Sequence, residues 1–115
     1  MTQRTIKFRA QTVAGSGRIW VYGHFFQTHE RPGRTESWII EDNGERHLVY
    51  PETLGQFTGL HDKNGKEIWE LNEIDGKYRV EYKAPSYVLT DISTGDILPL
   101  YDNTHEITRE YSPVA

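Results

Sequence analysis

Apolar and polar residues alternate along most of this chain with a period of two. Ile6 and Phe8 alternate with Lys7 and Arg9, the pattern of a strand with one buried face. A turn at Gly15-Ser16-Gly17 follows, and residues 18–26 are dense in β-branched and aromatic side chains, which continues the strand signal. Gly23, inside that run, marks a bulge or a close backbone approach. Glu30-Arg31-Pro32-Gly33-Arg34 predicts a loop, because proline removes a donor and glycine accepts positive φ. Residues 37–40 and 47–50 flank a polar tip containing Asn43-Gly44, a dipeptide suited to a tight primed turn, and predict a hairpin. Similar turn chemistry recurs at Asn64-Gly65, Asp75-Gly76 and Thr94-Gly95. Tyr78, Val80 and Tyr82 fall on one strand face and Arg79, Glu81 and Lys83 on the other; residues 87–89 and 97–100 supply later strands. Helix is scarce: residues 51–54 suit a single turn, and residues 67–73 are ambiguous.

Short strands at this turn spacing predict a mainly β fold, a small antiparallel barrel or sandwich built from hairpins. At 115 residues the chain suits one domain, 1–115, or an N-terminal β-subdomain (1–60) packed on a barrel-like C-terminal half (61–115). The sequence has no cysteine, which excludes disulfides, thiolate catalysis and cysteine-bound zinc. No apolar run approaches a membrane span and no signal-peptide pattern opens the chain, so a cytoplasmic protein that does not bind membranes is expected.

The net charge of −4 argues against a general duplex-DNA binder. Its distribution is uneven. Arg4, Lys7, Arg9, Arg18, Arg31 and Arg34 stand against Glu30 alone in the first 34 residues, while acids dominate the rest. Lys7, Arg9, Arg18, Arg31 and Arg34 therefore form a candidate interaction surface, for an acidic partner or for the acidic part of a second copy. Trp20, Tyr22, Phe25 and Phe26 lie among these bases, the composition of a single-strand nucleic-acid platform, although strand alternation sends several of them into the core.

The segment Leu54-Gly-Gln-Phe-Thr-Gly-Leu-His-Asp-Lys-Asn-Gly-Lys-Glu-Ile-Trp69 closely resembles the central signature of YopX-like proteins, (T/Y)-G-(L/F)-x-D-x-N-G-K-E-I-(Y/W). Ile6-Lys7-Phe8-Arg9-Ala10 and Trp20-Val21-Tyr22-Gly23 resemble that family's first two strands. Two segments depart from it. Glu70-Leu71-Asn72-Glu73-Ile74 lacks the Gly-Asp pair of the family's E-G-D-I-V run, and Ile107-Thr108-Arg109-Glu110-Tyr111 replaces a closing I-G-N-I. The resemblance implies an origin in phages, prophages and related elements, and a fold more than an activity.

Within the signature, Gly55, Phe57, Gly59, Asp62, Asn64, Gly65 and Trp69 have an architectural explanation: bulges, an apolar anchor, a carboxylate that accepts turn hydrogen bonds, and a chain reversal. Asp62 and Asn64 do not form a calcium loop, because aligning Gly65 with its sixth-position glycine puts Leu60 and Leu71 where oxygen donors belong. The histidines at 24, 29, 47, 61 and 105 lack metal-motif spacing, and no nucleophile elbow or phosphate loop occurs. The expectation is a non-enzymatic accessory protein without metal or cofactor, acting through protein contacts and self-assembly on a phage or host partner. A nucleic-acid module using the basic N-terminal half and an inhibitor of a host protein are the alternatives.

Overall fold

Turns punctuate the chain at short intervals, and each interval holds one strand. The computed structural model describes residues 7–13 and 17–113, without the side chains of Glu30 and Arg31. The expectations for Ile6 and for most of the Gly15-Ser16-Gly17 turn lie outside these residues. Within them the strands are β1 (Phe8–Gln11), β2 (Trp20–Arg31), β3 (Arg34–Ile40), β4 (Arg46–Leu48), β5 (Gly55–His61), β6 (Glu67–Trp69), β7 (Glu73–Ile74), β8 (Tyr78–Lys83), β9 (Ser86–Asp91), β10 (Ile97–Pro99) and β11 (Ile107–Arg109). A 3-10 turn, Pro51–Thr53, is the one helical element among the described residues. Two antiparallel sheets result, in the strand orders β4-β3-β2-β1-β5-β6 and β10-β9-β8-β7-β11.

The backbone divides into two units, Ile6–Gln56 and Phe57–Ala115. The division falls inside β5. Gly55 and Gln56 pair with β1, whereas Phe57 and His61 pair with β6.

In the first unit, Ala10, Val21, Ile39 and Val49 form the buried core, with Phe8, Phe25 and Leu54 packed against it. Beyond the ends of β1 and β4, Thr12 and Val49 meet in one isolated antiparallel bridge. That single contact is not a ladder. Thr53 ties the 3-10 turn to β1: its hydroxyl donates to the Tyr50 carbonyl at 2.7 Å and accepts from the Gln11 N–H at 2.8 Å. Gly23 marks a close approach, since a Cβ there would lie 2.0 Å from the Ile40 carbonyl oxygen.

In the second unit, Ile68, Ile74, Val80 and Leu89 form a separate core, with Leu60, Tyr78, Tyr87, Leu100 and Ile107 around it. Asp75 and Gly76 both take positive φ, as a primed turn requires, and the Lys77 N–H donates to the Ile74 carbonyl at 3.1 Å.

Two sequence expectations change. The barrel does not close among the described residues, because β10 and β11 end their sheet without pairing to each other. Residues 30–34 are not a loop: β2 runs to Arg31, Arg34 opens β3, and Pro32-Gly33 alone reverse the chain, with Gly33 at φ 79°. Strand alternation places Arg79 on the face opposite Val80, and that position is covered too. Its guanidinium is buried under the C-terminal segment, donating from Nε to the Ser112 carbonyl at 3.1 Å and from NH2 to the Pro113 carbonyl at 3.2 Å.

Candidate functional site

The signature segment is a locked turn. Asp62 is buried, and its Oδ1 accepts the N–H groups of Asn64 and Lys66, each at 2.9 Å. Its Oδ2 accepts the Ile107 N–H at 3.3 Å, which ties the turn to β11, while the Asp62 N–H donates to the Lys66 carbonyl at 2.8 Å. Burial alone would raise the Asp62 pKa. The backbone donors at Lys66, Ile107 and Asn64, with the Lys66 charge, outweigh it and hold the carboxyl below its ordinary value. Gly65 supplies the reversal at φ 84°.

The other signature residues pack around this turn or extend it. Gly59 takes φ 87° where the β5–β6 register shifts, and Thr58 bridges the irregularity by donating its hydroxyl to the Ile68 carbonyl at 2.7 Å. Phe57 and Trp69 face each other with ring centroids 5.5 Å apart. Gly55, in the first unit, is buried opposite Arg9. One residue of the same region went unread in the sequence. Asn72 is fully buried, accepts the Trp69 N–H at 2.7 Å and donates to the Glu110 carbonyl at 2.9 Å. Leu71 beside it has φ 72°, which stops the strand after β6.

The basic candidates do not converge. Arg9 is only 2 % exposed, with its guanidinium 4.0 Å above the Trp20 ring, so it is withdrawn from any surface. Arg18 is exposed and lies 4.1 Å over the Tyr50 ring. Lys7 is half-buried. Arg34 is exposed beside the Pro32-Gly33 turn, and the side chain of Arg31, its backbone partner, lies outside the described residues. Arg9 pairs with Tyr22, so Arg31 stands roughly 30 Å further along β2 at 3.3 Å per residue. Trp20 is capped by Arg9, and Arg46 sits 6.0 Å from the Trp38 ring, so guanidiniums of the chain itself occupy these aromatic faces.

The first unit also holds a pocket of about 470 Å³, lined by Thr12, Ile19, Val21, Trp38, Arg46, His47 and Leu48. Most of the lining is apolar, with Arg46 and His47 contributed by β4. Beside it is the β3–β4 hairpin tip. The Glu41 N–H donates to the Glu45 carbonyl, and the Gly44 N–H to the Glu41 carbonyl, both at 2.9 Å. His47 Nε2 lies 3.4 Å from Glu41 Oε2 and 3.8 Å from Glu45 Oε2. These three side chains escaped the histidine-spacing test because the neighbours of His47 are carboxylates across a turn. The hairpin register was the signal that could have found them.

Fold and geometry thus define an all-β protein of linked hairpins whose densest polar chemistry locks turns. The YopX protein family profile matches residues 7–110, and the chain belongs to that family. No curated protein matches it. Among the described residues no helix is long and apolar enough to cross a membrane.

Proposed function

We propose that this protein is a non-enzymatic accessory protein of phage, prophage or mobile-element origin, acting in the bacterial cytoplasm through protein contacts and self-assembly. The observation that carries the reading is β10, an edge of the five-stranded sheet with all three residues exposed. Ile97 is 55 % exposed and Leu98 42 %, and Tyr101 follows at 57 %. An edge strand offers backbone donors and acceptors to another strand, and apolar side chains beside it add burial when a partner arrives. Pro99 has no N–H and limits the addition to a short stretch, so the association is weak and depends on concentration. The occupied aromatic faces of Trp20, Tyr50 and Trp38 favour this reading over a base-stacking platform.

Light scattering from micromolar to high micromolar concentration tests it. A rising mass that falls back in the Ile97→Lys, Leu98→Lys double variant is the expected result. A strict monomer throughout removes self-assembly, and salt-sensitive binding of short oligonucleotides in fluorescence anisotropy would put nucleic acid in its place.

A further inference from the structure

We propose that the tip of the β3–β4 hairpin binds one divalent ion of the zinc class through Glu41, Glu45 and His47. Antiparallel register places the three together. Ile39 pairs with His47 and Ile40 with Arg46, so Glu41 and Glu45 face each other one step nearer the turn. Side chains alternate along each strand, which puts Glu41, Glu45 and His47 on one face and Arg46 on the other. Gly44 at φ 89° and the Asn43 side chain, which accepts the Glu45 N–H at 2.9 Å, fix the tip and hold the two glutamates opposite each other.

The spacing is that of co-ligands. One donor atom from each residue lies within 4.8 Å of the others. A tetrahedral ion with ligands about 2.1 Å away separates its donors by about 3.4 Å. The observed separations from His47 Nε2 are 3.4 Å and 3.8 Å. A second observation points the same way. The His47 ring is 27 % exposed, but its Nε2 atom is shielded from solvent and makes no hydrogen bond, so Glu41 stands at ion-pair distance from it without hydrogen-bond geometry. A shielded ring nitrogen without a hydrogen bond, facing two carboxylates, is a donor set that a cation completes, and the cation also relieves the repulsion between like charges. Imidazole with carboxylates suits zinc, nickel or copper, and three protein donors leave a fourth position for water.

Metal-freed, untagged protein titrated with zinc chloride by calorimetry, and with cobalt(II) by visible absorption, tests the site. One ion per chain with the intense bands of tetrahedral cobalt is expected. His47→Asn and Glu45→Gln should each weaken binding by at least about tenfold, while Asp42→Asn in the same turn leaves it unchanged. Glu45 is 66 % exposed, so its variant decides the question should His47→Asn disturb the fold. Absence of one-to-one binding, or affinity that survives Glu45→Gln, overturns the proposal; the second result means an adventitious ion only, on the other histidines.

Discussion

Asp62 and Asp91 meet the same local need with the same chemistry. Each follows a strand with a turn whose N–H groups point inward, and each carboxylate gathers them. At Asp91, Oδ1 accepts the Ser93 N–H and hydroxyl at 2.9 Å each and the Thr94 N–H at 3.0 Å, while Lys77 Nζ stands 3.5 Å from Oδ2. Replacing Asp62 with alanine leaves three part-buried N–H donors, of Asn64, Lys66 and Ile107, without their acceptor. Urea denaturation of Asp62→Ala should show a loss of about 3 kcal/mol, and a loss under 1 kcal/mol would refute the keystone role. Gly23→Ala forces a methyl into the Ile40 carbonyl and should cost about 3 kcal/mol by the same measurement. The sequence showed Gly23 as a special backbone position. It did not show Asn72, because a buried amide between Trp69 and Glu110 depends on segments 38 residues apart.

At the scale of elements, local signals carried far. Asn43-Gly44, Asn64-Gly65 and Asp75-Gly76 each mark a real reversal, but only Asp75-Gly76 takes positive φ at both residues; at Asn43-Gly44 the glycine alone does, so the primed turn expected there is not formed. The turn at Pro32-Gly33 reads as a longer loop in sequence because the flanking charges of Glu30, Arg31 and Arg34 resemble loop composition. The β8–β9 hairpin, whose tip is the cis Ala84-Pro85 peptide, had no glycine to announce it. Burial on strand faces was less legible. Tyr82 shares a face with Val80 yet is half exposed, whereas Arg79 is covered by residues far along the chain. Both Arg79→Met and Arg79→Ala leave the Ser112 and Pro113 carbonyls unmatched, but methionine keeps most of the buried volume while alanine adds a cavity, so Arg79→Met should be tolerated better in thermal melts. Equal melting temperatures for the two variants would count against that packing role.

For the molecule as a whole, the turn carboxylates make stability depend on acid. The Ser93 hydroxyl first, then the Thr94 N–H, the Ser93 N–H and Lys77, against the opposing effect of burial, pull Asp91 from 3.8 to about 2. Asp62 is lowered too. At Glu81, burial is the largest influence and opposes the shift, but the Thr90 hydroxyl and the Arg79 and Lys83 charges prevail and lower it. Groups lowered on folding bind fewer protons in the native state, so their stabilisation is full above the unfolded values. It is then lost as pH falls from about 4 toward about 2. Denaturation midpoints across that window should drop with acid, and Asp91→Asn should flatten the slope. An unchanged slope would remove Asp91 from the account. The class of fold was legible because alternation and turns are local; whether the sheets close, and which carboxylates become keystones, depends on distant pairing. Arg79 shows how distance also becomes time. Its acceptor carbonyl at Ser112 is 33 residues downstream, so at 5–20 residues per second a ribosome delivers it about 2–7 s after the guanidinium. During that interval the nascent second unit holds a guanidinium that has Glu81 beside it but lacks the two carbonyls, of Ser112 and Pro113, that later cover it.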